Sequence, residues 1–213
     1  MRIFILVSTL IMCIAASAEE ATPFPHPLYL GGIAGYGATT WEGLVPSPLN
    51  QNMAMHTSTP VMVREGGAVW GFFAGYELSP YFALEANYMR YPNAMISFDE
   101  ESIFAFDNDG LIELNTSTAT LSLMGKIMLI IPHTKVRAYS SFGAAEIHRW
   151  DVMTENKRLS PSFGLGLNYT IYGHVMIELG ANYTAGYGES ELNPAKDYVP
   201  FLYSGFLKLG YRI

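Results

Sequence analysis

From Ser160 to Thr184 the chain reads SPSFGLGLNYTIYGHVMIELGANYT. In its first half Phe163, Leu165, Leu167, Tyr169 and Ile171 alternate with Ser162, Gly164, Gly166, Asn168 and Thr170. After Tyr172-Gly173-His174 the same rhythm returns, with Val175, Ile177, Leu179, Ala181 and Tyr183 against Met176, Glu178, Gly180, Asn182 and Thr184. A period of two on both sides of a tight turn is the mark of a β-hairpin with one apolar face. The second face carries glycine, serine and asparagine. A soluble, lipocalin-like barrel would alternate too, but it would turn its apolar face to a ligand cavity and cover the other with surface charge. The pattern here suits strands with lipid outside and a crowded polar interior.

The rhythm extends over the chain. Phe82, Leu84, Ala86 and Tyr88 alternate with Ala83, Glu85, Asn87 and Met89, and Phe201, Tyr203, Leu207, Leu209, Tyr211 and Ile213 oppose Ser204, Lys208, Gly210 and Arg212. Strands are predicted near 27–39, 66–78, 81–91, 116–131, 136–149, 161–172, 174–187 and 200–213. Short turns at Leu78-Ser79-Pro80, Pro132-His133-Thr134-Lys135 and Tyr172-Gly173-His174 alternate with longer connections at about 40–65, 92–115, 150–160 and 188–199. The predicted fold is all-β, an eight-stranded antiparallel up-and-down transmembrane β-barrel. An even strand count puts both ends of the barrel on the short-turn, periplasmic side, and the four longer loops face outward.

Composition agrees. Of 213 residues 50% are hydrophobic and 14% aromatic, only 15% are charged, and the mean hydropathy is +0.17. A soluble domain carries about a quarter charged residues. Beyond the N-terminus no apolar run approaches the roughly 20 residues of a membrane-spanning helix, which excludes a multi-helix membrane protein. Arg2, the apolar run Ile3 to Ala16, and Ala16-Ser17-Ala18 have the form of a signal peptide cleaved after Ala18, leaving a barrel domain over 19–213. Cys13, the single cysteine, lies inside that peptide, and Met12 before it does not fit a lipoprotein signal. No disulfide or thiol nucleophile is then expected in the mature chain. Cleavage also removes Arg2 and moves the net charge one step beyond -7. No basic cluster is present, so nucleic acid is not an expected partner.

The strand parity sorts the polar and aromatic residues. Glu77, Glu85, Lys126, Arg137, Glu178, Lys208 and Arg212 fall on the interior face, where unpaired charge is costly. Lys126 is expected to pair with Glu85 or Glu178, the alternative being that internal water solvates each charge separately. Tyr36, Trp70, Tyr76, Tyr88 and Tyr187 fall on the lipid side near strand ends, where aromatic girdles form. Trp41 and Trp150 lie at loop edges and do not discriminate.

Three motifs carry a family resemblance. Phe73-Ala74-Gly75-Tyr76-Glu77-Leu78-Ser79-Pro80-Tyr81 with Phe82-Ala83-Leu84-Glu85, the stretch Ser160 to Tyr169, and the ending Leu209-Gly210-Tyr211-Arg212-Ile213 resemble the transmembrane domain of the outer membrane protein A family. The resemblance covers nearly the whole mature chain and implies an eight-stranded barrel in the outer membrane of a Gram-negative bacterium. It places Glu85 and Lys126 where the family has a charge-paired interior plug. Asn168 stands where the family has a second interior glutamate, Glu178 where it has an arginine, and Ile33 where it has a lysine, so the family's own exchange of ion pairs is not carried over. Ile213 replaces the usual final phenylalanine read by the barrel-assembly machinery. The family's large members continue into a peptidoglycan-binding domain; the expectation here is the barrel alone.

Little chemistry is visible. His26, His56, His133, His148 and His174 are scattered without metal-ligand spacing, and Asp107-Asn108-Asp109-Gly110 lacks the frame of a calcium loop. No metal and no cofactor are expected. Asn115-Thr116-Ser117, Asn168-Tyr169-Thr170 and Asn182-Tyr183-Thr184 match glycosylation sequons by coincidence. No catalytic residue is assigned, since lipid A deacylases of this size resemble one another in a His-Ser-Asn run that is missing; His148 is the one base worth testing. The sequence therefore predicts a structural, monomeric outer-membrane barrel in contact with membrane lipid and lipopolysaccharide. Its surface loops would meet an extracellular ligand or mediate adhesion. A narrow ion-conducting pore is the alternative, with a lipid A-modifying enzyme behind it.

Overall fold

The computed structural model describes residues 26–41, 60–186 and 199–213. Eight long strands form the barrel wall: β1 Leu28–Thr39, β3 Gly67–Ser79, β4 Phe82–Arg90, β6 Glu113–Ile130, β7 Val136–Trp150, β8 Glu155–Ile171, β9 Val175–Thr184 and β10 Leu202–Arg212. Each is antiparallel to both neighbours. β1 pairs with β10 from Tyr29↔Arg212 to Thr39↔Leu202, so the last strand closes on the first and no edge of the wall is left open.

Burial follows the alternation residue by residue. β4 alternates exposed and buried side chains along its length, and β10 does so over eleven residues. Large apolar side chains stand on the outside; Phe72, Leu123, Phe142, Leu165 and Leu209 are each at least 60% exposed. Inside are serine, threonine, asparagine and charge, together with an apolar cluster that includes Tyr29, Ile33, Phe73, Met89, Ile147 and Phe206. An apolar skin on every side of a polar interior is stable only with hydrocarbon around it.

The short turns are tight for local reasons. Ser79 Oγ accepts from the amides of Tyr81 (3.3 Å) and Phe82 (3.1 Å), which turns β3 into β4. In the three-residue connection between β8 and β9, Tyr172 and Gly173 take φ of 50° and 78°, both left-handed, and His174 N donates to Ile171 O at 3.2 Å to close the turn.

The outer side differs from the sequence expectation in two connections. The predicted loop 150–160 is only a four-residue turn, because β7 runs to Trp150 and β8 begins at Glu155. Asp151 Oδ1 accepts from the amides of Met153 and Thr154, both at 3.0 Å, and this side-chain turn holds the extended hairpin together. Pro161 suggested the start of a strand, yet it lies within β8. Its nitrogen faces the end of β9, and the carbonyl of Ala185 that would have met an N–H there accepts from Ser160 Oγ instead.

The predicted loop 92–115 is likewise structured. It contains β5 Ala94–Ser97, a short helix α1 Ile103–Asp107 and the first residues of β6. β5 pairs with β6 and with β2 Met62–Arg64, making a small sheet above the barrel rim. α1 is capped by Ser102, whose Oγ accepts from Ala105 N at 3.1 Å. Phe98 and Phe104 stack at 4.0 Å within a second core with Trp41, Ala94, Ile96 and Leu114, so Trp41 is a buried core residue rather than a loop edge.

Candidate functional site

Inward parity brings the seven predicted interior charges into two tiers. In the upper tier, Lys126 Nζ lies 2.7 Å from Glu85 Oε2 and 2.7 Å from Glu178 Oε2. Lys208 Nζ lies 2.5 Å from Glu85 Oε1 and 3.2 Å from Glu178 Oε1. Both lysines therefore contact both carboxylates. Register accounts for one side of this square, since Glu178 and Lys208 are direct partners on β9 and β10. Tyr29 donates its hydroxyl to Glu85, and Lys208 donates to Asn87 Oδ1 at 2.9 Å. Aromatic faces cover the cations, Tyr139 beside Lys126 at 4.3 Å and Phe206 beside Lys208 at 4.9 Å, adding cation–π attraction.

The lower tier lies nearer the short-turn end. Arg137 Nη2 donates to Glu77 Oε1 at 2.7 Å, and Arg212 donates to the same oxygen. Asn168 joins the tiers. Its Oδ1 accepts from Arg137 at 2.9 Å and its Nδ2 donates to Glu178 at 3.3 Å. Three carboxylates thus meet four cations, and every charged side chain in the two tiers is at most 4% exposed. At the effective permittivity of a protein interior such pairs hold only when the remaining polar atoms are also bonded, which Asn87, Asn168 and Tyr29 help to do. Asn87 and Asn168 were readable as inward residues, but nothing in the sequence marked them as partners, and Tyr29 was not singled out.

A further buried pair stands at the outer mouth. Arg149 Nη2 lies 2.7 Å from Asp151 Oδ2, and the guanidinium stacks 4.7 Å from the centre of the Trp41 ring. The short spacing of these residues concealed the pair, because 150–160 read as an open loop.

Of the predicted girdle residues, Tyr36, Trp70 and Tyr88 point outward near the outer ends of β1, β3 and β4, with Trp70 and Tyr88 packed edge to face at 6.3 Å. Tyr76 points outward near the short-turn end of β3; Tyr187 lies outside the described residues. Tyr183 and Tyr203 join the upper level, and Tyr169 and Tyr211 the lower one.

The histidines are less scattered than their sequence positions suggested. His26 and His174 meet at the short-turn rim with ring centroids 4.3 Å apart, because closure of β1 on β10 brings the start of the barrel beside the β8–β9 turn. His148 stands at the outer rim, 2.9 Å from Glu155 Oε1 and 4.8 Å from the Trp150 ring.

A family model described as "Outer membrane protein beta-barrel domain" matches residues 4–199. Among solved structures, the outer membrane protein OprG from Pseudomonas aeruginosa matches with a TM-score of 0.53 at 10% identity, covering 88% of this chain and 97% of that one. Neisserial surface protein A matches with a TM-score of 0.52 at 12% identity, covering 87% and 97%. No curated protein sequence matches. At these identities the structural likeness is one of fold.

Proposed function

The chain belongs to the outer membrane protein β-barrel domain family, and from that premise we propose that it is a structural, non-enzymatic barrel whose outer connections meet the cell's surroundings. The observation that carries the reading is the buried lumenal network. Lys126 and Lys208 tie β6 and β10 to Glu85 on β4 and Glu178 on β9, so charge pairs cross the interior where a conducting path would run. Eight strands leave a lumen that side chains fill. The reading includes a monomer, lipopolysaccharide as a neighbour in the outer leaflet, and delivery by the barrel-assembly machinery.

The lack of a catalytic role is also part of the proposal. His148, the one base considered, is engaged by the Glu155 carboxylate on the outer face. The surface role is supported by the outer lobe, where β2, β5 and α1 share a core and hold their exposed residues on a rigid base.

Purified barrel in a planar bilayer is expected to give no stable openings; regular ion-selective openings would favour the narrow pore instead. On intact cells, protease is expected to cut only within the outer connections, and exchanging residues 40–65 and 92–115 for unrelated loops is expected to lower attachment to host matrix. Unchanged attachment would leave the barrel without the surface role.

A further inference from the structure

The outer lobe buries one side and leaves another uncovered. α1 directs Phe104 and Ala105 into the small core, while Ile103 is 49% and Phe106 88% exposed. Val61, Met62, Leu111 and Ile112 are exposed on the same lobe. Backbone pairing sets these residues together, since Val61 N donates to Ser97 O and Phe98 N to Ile112 O. Two open grooves result. One of about 650 Å³ runs between Val61, Phe98 and Ile112, and one of about 340 Å³ lies beside Ala105, Phe106 and Gly110. Both are walled by Glu100 and Glu101. A lone exposed aromatic needs no explanation, but an apolar patch rimmed by charge marks an interaction surface.

The charge on that rim has one sign. Asp99, Glu100, Glu101, Asp107, Asp109 and Glu113 lie within fifteen residues, and no lysine or arginine occurs between Arg90 and Lys126. Arg64, on β2 opposite Met95, is the one basic residue in the three strands of the small sheet up to Thr116. Such a rim repels a phosphate-bearing lipid surface. It also repels a second copy of itself, because a two-fold contact would set the same carboxylates face to face. The flanking segments 42–59 and 187–198 do not supply the missing charge: they contain Lys196 against Glu42, Glu189, Glu191 and Asp197.

We infer that the two grooves together dock a cationic amphipathic polypeptide segment, its apolar side chains seated against Phe106 in one and Ile112 in the other and its lysines or arginines set against Glu100 and Glu101, which wall both. The inference rests on the surface role proposed above and names the chemistry of the partner.

The test uses the full barrel in nanodiscs of zwitterionic lipid and three labelled peptides of equal length, built from Lys and Leu, Lys and Ser, or Glu and Leu. The Lys/Leu peptide is expected to bind saturably beyond its binding to empty discs. Phe106→Ser and the pair Glu100→Gln/Glu101→Gln are each expected to weaken it about tenfold, the loss typical of a central anchor. Added salt is expected to weaken binding to the parent more than to the Gln variant, which keeps the other carboxylates of the rim. Both changes lie on exposed side chains, and heat-modifiable migration on a gel verifies that each variant is folded. Equal binding of the Lys/Ser peptide, binding of the Glu/Leu peptide, variants indistinguishable from the parent, or self-association that consumes the patch would each overturn the inference. Protease cleavage at Asp107–Gly110 on intact cells separates the two failures. Cleavage without peptide binding defeats this inference alone, whereas protection in cells defeats the surface role beneath it.

Discussion

Lys208 on β10 reaches across the lumen to Glu85 on β4, Nζ to Oε1 2.5 Å, although β1 and β3 stand between these strands in the sheet. A contact that skips two strands ties opposite parts of the wall together. Because Lys126 makes the matching crossing to Glu178, the tier acts as a brace whose members hold one another in place.

Glu85 is the carboxylate that both lysines share, so Glu85→Gln leaves two buried ammonium groups with Glu178 alone. Removing one partner of a buried pair costs about 3–5 kcal/mol. Urea unfolding of the barrel in lipid vesicles, followed by tryptophan fluorescence, is expected to show a loss of that order. Adding Lys126→Met to the same chain is expected to recover part of it, since the double variant removes an orphaned charge. A Glu85→Gln barrel as stable as its parent would mean that water, rather than the carboxylate, satisfies the lysines.

Asp151 does two things at once, turning β7 into β8 through two backbone amides and neutralising the buried Arg149. Asp151→Asn retains an acceptor for the turn but not the charge; Asp151→Ala loses both. The expected order of stability is parent, Asn, Ala, with the Asn variant already lower, by up to about 3 kcal/mol, because the buried guanidinium loses the Asp151 carboxylate. Limited proteolysis at 151–154 should become fast only in the Ala variant. Equal proteolysis of both would show that the ion pair, and not the side-chain turn, sets the local order.

The barrel was legible in the sequence because a strand with lipid on one side obeys a strict period of two. The seven charges of the two lumenal tiers could be assigned by parity without knowing their neighbours, whereas the buried Arg149 at the mouth was not. Which charges meet depends on register and on strand tilt across the lumen, and parity carries neither. Hence Lys126 reads as pairing with Glu85 or Glu178, while the structure gives it both. The outer lobe was illegible for a related reason. β5 is four residues long and α1 five, too short for any period to emerge, and their stability comes from the Phe98–Phe104 stack and Trp41, which lies more than fifty residues earlier in the chain.

Ser160 and Pro161 form a local substitution of one donor for another. In the parent, Ser160 Oγ serves the Ala185 carbonyl that the proline nitrogen cannot. Ser160→Ala is expected to cost about 1 kcal/mol in the urea assay, the net worth of one hydrogen bond. In a Pro161→Ala background an N–H becomes available to Ala185, so the same serine change should cost markedly less. Strict additivity of the two changes would show that the hydroxyl and the missing amide are not alternatives for one carbonyl.

Two glycines with opposite surroundings test the packing of the wall. A Cβ on Gly71 would stand 1.9 Å from the Tyr88 carbonyl oxygen, which belongs to the β4 backbone and cannot rotate away. A Cβ on Gly205 would meet nothing within 4 Å. Gly71→Ala must therefore push β3 from β4 beside the Trp70–Tyr88 pair, at a cost of at least about 1–3 kcal/mol, the usual range for overpacking. Gly205→Ala adds a methyl group on the lipid side and is expected to leave stability unchanged or slightly raised, since it also restricts the unfolded chain. Heat-modifiable migration after refolding into vesicles reads both. A folded fraction lowered for Gly71→Ala and unaltered for Gly205→Ala is the expected result, and equal folding of the two would mean that the β3–β4 ladder yields enough to admit a side chain at its closest approach.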